Sequence, residues 1–128
     1  MKYLLDTHGV LWAAEADPRL GPRALAELQR CTTGDAVISD ITLLEIAMLV
    51  QKERIRIAVP LKRYLLEIQE NYPVLPIEAA IAAEAFSLPM PQGDPFDRVI
   101  VATARYHALP LITRDQAITR SGLADAIW

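Results

Sequence analysis

Short apolar runs of strand length alternate along this chain with longer segments of helical period, and several runs stop at, or enclose, a carboxylate. MKYLLD ends in Asp6, ITLLEIAMLV encloses Glu45, DRVIVATA opens on Asp97 and LPLITRD ends in Asp115, with Asp94 one helical turn before Asp97. Strands separated by helices point to an α/β architecture with a mostly parallel sheet. An apolar run that halts at a charge normally marks a surface. If these runs are core elements of one domain, however, their ends can converge. Clustered, half-buried carboxylates repel one another unless a cation offsets them, and hard oxygen donors suit Mg2+ or Mn2+.

Residue by residue, Tyr3–Asp6 reads as a buried strand, and a helix runs from His8 to about Ala16, where Asp17-Pro18 ends it. Pro22 opens a second helix that ends near Cys31. After the 32–35 turn, Ala36–Ser39 is a second buried strand, and Ser39 or Asp40 caps a helix over Ile41–Gln51. Leu61, Tyr64, Leu65 and Ile68 keep the ~3.6-residue helical period in a segment opened by Pro60 and stopped at Tyr72-Pro73. Val74–Pro76 is a short, edge-like strand because Pro76 lacks a donor. Ile77–Leu88 is an alanine-rich helix, Pro89–Pro95 a loop, and about Pro95 to Ala108 a helix with Asp94 at its N-cap. Leu111–Thr113 and Ala126–Trp128 are the last strands. The expectation is a single domain over residues 1–128, a three-layer α/β/α sandwich whose ligands bind beyond the carboxyl ends of its strands.

Composition excludes several classes. With 52% hydrophobic residues, 5 Gly and 9 Pro, the chain is globular rather than disordered. Its formal charge of −3 gives no whole-molecule footprint for nucleic acid, although metal on the carboxylates would make the surface that a ligand meets less negative. Cys31 is alone, so it forms no internal disulfide, and one cysteine with two histidines is too few for a zinc cluster. MKYLLD shows no basic leader, and no stretch approaches ~20 apolar residues, so a cytoplasmic protein without a membrane span is expected.

Each carboxylate has a plainer alternative. Asp6, Asp94 and Asp115 could cap the helices that follow them, and Glu45 could be exposed near a helix start. Yet Glu45 falls among the apolar residues of its helix, where a glutamate rarely sits without a partner. Asp97 precedes Ile100, Val101 and Ala104 by about a turn, on or beside the buried face, where capping does not account for it. Together the plain readings require several unrelated accidents at one edge of the sheet.

LLDTH at residues 4–8, SDITLLEIAMLVQKERIRI at 39–57, GDPFDRVIVATARYHALPLITRD at 93–115 and the closing Trp128 together resemble the PIN-domain nucleases, specifically the VapC-type toxins of bacterial toxin–antitoxin modules. The resemblance covers almost the whole chain. It implies a PIN-like fold and a metal-dependent endoribonuclease with Asp6, Glu45, Asp97 and Asp115 as the catalytic, metal-binding set. Asp6 and Asp97 are first-choice ligands; Asp115 completes the first or a second ion, and Glu45 binds through water or orients the attacking water. Mg2+ is the expected ion, Mn2+ a substitute, and the products carry 5′-phosphate and 3′-hydroxyl ends. Asp94 belongs to the outer shell. The stretch after Asp115, QAITRSGLADAIW, departs from the subgroup in lacking an aromatic residue and a tyrosine often placed there.

Thr7, Ser39 and Thr113 flank the proposed ligands and either orient carboxylates and waters or act as ordinary caps. Arg98 and Arg114 adjoin two ligands and either hold RNA phosphate or pair with Asp94 or Glu45. His8, beside Trp12, reads as structural. The basic block over residues 52–63 contacts RNA backbone or is a solvated surface, and no aromatic platform for bases is visible. The resemblance further implies a cognate antitoxin and a homodimer. A non-catalytic PIN-like module that binds RNA or protein is the alternative, and lost carboxylates would signal it. A haloacid-type phosphatase would need a second aspartate where His8 stands, and a receiver domain a late lysine that does not appear.

Overall fold

The computed structural model describes residues 1–90 and 94–128. Five strands, β1 (Tyr3–Leu5), β2 (Ala36–Ser39), β3 (Val74–Leu75), β4 (Leu111–Ile112) and β5 (Ala126–Ile127), form one sheet in the order β3-β2-β1-β4-β5. Every pairing is parallel. Side chains alternate across such a sheet, so neighbours in each inner strand part company. Leu4, Val37 and Leu111 pack under α5 (Ala79–Ala85) and α6 (Pro95–Tyr106), with Ile118 of α7 (Gln116–Ser121). Leu5, Ile38 and Ile112 face α1 (Thr7–Ala14), α2 (Pro22–Gln29), α3 (Asp40–Gln51) and α4 (Leu61–Asn71). Two apolar clusters, one on each face, produce the three-layer α/β/α sandwich. Val74 and Leu75 do lie at a sheet edge, where the absent donor of Pro76 costs nothing.

Helix ends differ from the sequence reading where the backbone turns left-handed. The first helix stops at Ala14, and Ala16 takes φ 51°. In α6, the cap falls on His107 and Ala108 takes φ 53°, two residues short of the expected end. Both are the αL termination that releases a chain from a helix. The alanine-rich helix is shorter than Ile77–Leu88. The backbone N–H of Ile77 donates to Asp40 Oδ2 at 3.3 Å rather than starting a turn, and Glu78 becomes the N-cap. At its other end the Arg98 guanidinium takes the carbonyls of Ala85 and Leu88 at 3.1 Å each, and that of Met90. Residues 91–93 of the expected 89–95 loop lie outside the described residues. Among the described residues no helix is long and apolar enough to cross a membrane.

The order β3-β2-β1-β4-β5 reverses direction between β1 and β4. Crossover helices leave the two strands toward opposite faces there, which opens a crevice beyond their carboxyl ends. Asp6 follows β1 and Thr113 follows β4, so both line that crevice.

Candidate functional site

Asp6 is the N-cap of α1: its Oδ1 accepts the Gly9 N–H at 2.7 Å. Its Oδ2 accepts the Thr113 hydroxyl at 2.6 Å, a bond that spans 107 positions of sequence and ties the ends of β1 and β4. Gly9 is required for this closeness, because a Cβ there would stand 2.9 Å from Asp6 Oδ1 and 3.2 Å from the Ile112 carbonyl oxygen. Thr113 Oγ1 also accepts the Asp115 N–H at 3.1 Å. Asp115 caps α7 by accepting the Ile118 N–H at 2.8 Å, and Asp94 caps α6 by accepting the Phe96 N–H at 2.9 Å. The capping alternative therefore holds for all three aspartates. It does not exclude a second role, since an N-cap carboxylate sits where the helix dipole and free amides favour negative charge.

Glu45 is not an exposed residue near a helix start. It is buried on α3 and accepts a hydrogen bond from the Thr7 hydroxyl, while the buried Thr42 hydroxyl lies 3.3 Å from the same oxygen of Thr7. Thr42 escaped the sequence reading, although its position three residues before Glu45 on one helix face could have marked it. Asp97 sits in the first turn of α6, half-buried, and among the described residues it has no hydrogen-bond partner.

These groups are coupled through their charges. Burial pushes the Asp97 carboxyl up to about 7, and the charges of Asp94, Glu45, Asp115 and Asp6, in falling order, push the same way. Burial also raises Asp6, with Asp115 adding to it, against the lowering effects of the Thr113 and Gly9 bonds and of His8. Glu45 is raised by burial first, opposed by its bond from Thr7, and then by Asp94 and Asp6. None of the five carboxylates has a Lys or Arg ion pair among the described residues. Arg98, committed to three carbonyls, pairs with neither Asp94 nor Glu45. Arg114 pairs with neither as well; its guanidinium lies 4.6 Å over the Trp12 ring. Ser39 accepts the Ile41 N–H as the cap of α3 and touches no carboxylate among the described residues. Thr7 and Thr113 do bond to carboxylates, whereas Asp94 acts through its charge.

A divalent cation fits this donor set by chemistry: its carboxylates are hard oxygen donors and have no Lys or Arg ion pair among the described residues. Among the described residues no group of three or more His, Cys, Asp or Glu is arranged to hold an ion as it stands. That does not conflict with Mg2+, which keeps several waters and is commonly held by only one or two carboxylates. A larger groove of about 1010 Å³, lined by residues such as Leu25, Leu28 and Tyr72, lies away from these carboxylates and contains none of them.

A family model described as PIN domain matches residues 3–122. Among curated proteins, Ribonuclease VapC22 of Mycobacterium tuberculosis is 33% identical over 116 residues, covering 90% of this chain and 88% of that protein. Among solved structures, the chain resembles a toxin–antitoxin complex from Klebsiella pneumoniae (TM-score 0.70, 23% identity, 99% and 97% of the two chains). It also resembles VapBC2 from Rickettsia felis bound to a DNA fragment from its promoter (TM-score 0.69, 19% identity, 98% and 97%). At those identities the structural likeness concerns the fold.

The Asp97 shift has a measurable sign. Its folded pKa lies above the ordinary 3.8, so the native state binds more protons across that window. Stability is then intact below about pH 4, falls as pH rises toward 7 and is flat above. In EDTA, Asp97→Asn is expected to raise Tm by about 5 °C at pH 7.5, the effect of roughly 1 kcal/mol in a domain of this size, and by nearly nothing at pH 4. Thermal melts of the two proteins at both values check this; an equal shift at both would contradict it.

Proposed function

The chain belongs to the PIN-domain family, alongside VapC-type proteins, and on that footing we propose that it is a metal-dependent endoribonuclease and the toxin of a toxin–antitoxin pair. One observation carries the reading: the charges of Asp94, Glu45, Asp115 and Asp6 all act on Asp97 beside the sheet's switch point, and none of the five carboxylates has a Lys or Arg ion pair among the described residues. A fold needs no such arrangement. Uncompensated like charges lower stability, so their persistence is best explained by a cation that binds in function.

Asp6 and Asp97 are the first-choice ligands, with Asp115 completing the set and Glu45 acting through water. A bound Mg2+ or Mn2+ supplies charge neutralisation and water activation for phosphodiester hydrolysis. The chain's own residues do the positioning. Thr113 and the Gly9 amide lock the Asp6 carboxylate in one orientation, and Thr7 does the same for Glu45. Asp97, which accepts no hydrogen bond among the described residues, would hold the ion in its deprotonated form, so binding would be linked to loss of its proton. Arg114 is the residue for substrate phosphate. Arg98 has a different task in this reading: its three carbonyl bonds hold residues 85–90 against the start of α6.

RNA as substrate and an antitoxin as partner follow from the relatives, one named a ribonuclease and one solved in a toxin–antitoxin complex. The product of a neighbouring gene is expected to bind and silence this chain, and the family resemblance leads us to expect a homodimer. A structured RNA is the favoured substrate, since no base-reading motif is present and shape must select the cut. Mapping RNA 5′ ends after brief expression tests activity and substrate together. Wild-type protein should leave one or two dominant cuts that Asp6→Asn reduces by about 10²-fold or more. Absence of metal-dependent cuts would instead favour a binding-only module. Thr113→Val, which removes the hydroxyl on Asp6 but no ligand, should lower activity by about 10–100-fold with an unchanged circular dichroism spectrum. Wild-type activity in that variant would show that the Thr113 bond is structural alone.

A further inference from the structure

A groove of about 730 Å³ runs from the rim of the carboxylate site across α1 to the segment that follows α3. Its wall joins residues that are far apart in sequence: His8 and Arg114, each next to or near a carboxylate, and Arg54 and Arg56. Fold and burial explain why the last two face the groove. Helix α3 ends in a Schellman turn, with Glu53 left-handed at φ 56°, its N–H on the Val50 carbonyl, and the Arg54 N–H on the Leu49 carbonyl at 2.9 Å. Beyond it, Ile55, Ile57 and Val59 are partly buried against the α1–α4 cluster, and the alternate residues Arg54 and Arg56 are exposed. The two arginines are thus anchored by their neighbours, with Cα atoms at most about 7 Å apart, the scale of successive phosphates on a strand.

The groove also contains Glu15, Asp17 and Glu67, but each is engaged. Asp17 pairs with Arg19 at 2.8 Å, Glu67 with Arg63 at 3.2 Å, and Glu15 accepts the Tyr64 hydroxyl at 3.2 Å. Arg54, Arg56 and Arg114 have no carboxylate partner among the described residues. Arg114 is held in place by the Trp12 ring, which lowers the entropy it loses on meeting an anion. Trp12 itself is buried among His8, Arg19, Arg114 and Trp128 and offers no open face to a base. The groove therefore favours a phosphate backbone over bases.

We propose that this groove binds the RNA strand on one side of the cleaved bond, with Arg114 nearest the carboxylates and Arg54 and Arg56 holding phosphates beyond it. The proposal rests on the nuclease reading and adds to it the path of the substrate and an anchoring role for the segment after α3.

The test uses a fluorescein-labelled single-stranded RNA, with anisotropy measured over a salt series in Mg2+ on an Asp6→Asn background, and cleavage measured on the otherwise wild-type chain. Arg54→Gln/Arg56→Gln/Arg114→Gln should weaken binding by about tenfold or more and flatten the slope of log K against log[salt] by about 2, near 0.7 per lost contact. The same changes should raise KM far more than they lower kcat. Arg23→Gln/Lys62→Gln, which removes two exposed charges outside the groove that have no carboxylate partner among the described residues, should leave both unchanged. Unaltered binding in the triple variant would overturn the groove while the chain's own cleavage kept the nuclease reading intact. An equal loss in that double control would overturn it too, since attraction would then be diffuse. A poly-glutamate peptide that outcompetes RNA at the groove would reassign it to an acidic protein segment. A wild-type chain that neither binds nor cuts RNA would remove both readings.

Discussion

The parallel pairing of β1 with β4 is the constraint on which the rest depends. Registering Leu4 with Leu111 and Leu5 with Ile112 brings residues 6 and 113 side by side, and the 2.6 Å bond from Thr113 to Asp6 closes the ends of the two strands. That one juxtaposition sends α1 away from β1 and the segment leading to α7 away from β4, with Asp6 and Asp115 at their starts. Glu45 enters from α3, which packs beside α6, and Asp97 enters from the first turn of α6. A strand pairing made by buried leucine and isoleucine thus sets the positions of Asp6 and Asp115, and the packing of α3 on α6 sets those of Glu45 and Asp97.

How the protein tolerates so many carboxylates is visible in the local structure. Asp6, Asp94 and Asp115 each cap a helix, so backbone amides and the positive ends of α1, α6 and α7 stabilise them. Glu45 has the Thr7 hydroxyl. Asp97 alone has no donor among the described residues, and burial first, then the charges of its four neighbours, raises its pKa to about 7. A site whose carboxylates rest on backbone amides and a hydroxyl, with one member titrating near pH 7, is ready for a cation without collapsing in its absence.

Much of the architecture was legible from residue pattern. Strand-length apolar runs, Pro22 and Pro95 at helix starts, and Asp94 at a cap located the elements, and the resemblance through LLDTH and DPFDR located the carboxylates. What the pattern hid were events decided by tertiary contact. The early ends of α1 and α6 rest on left-handed alanines, which no propensity favours. The fate of Arg98 depended on carbonyls left open by the shortened α5, and that of Arg114 on the ring of Trp12, distant in sequence. Capping by Asp6, Asp94 and Asp115 leaves a ligand role open to them, because helix starts are where a parallel sheet gathers its ligand-facing groups.

The central claim is that these carboxylates act as one cation site with Asp97 as its titrating member. Calorimetric titration of Mn2+ into the isolated chain at pH 7, in two buffers of different ionisation enthalpy, tests it most directly. Saturable binding with release of a fraction of a proton, lost in Asp97→Asn, is the predicted result. Binding with no proton release that Asp97→Asn leaves unchanged, or no saturable binding in either protein, would contradict it.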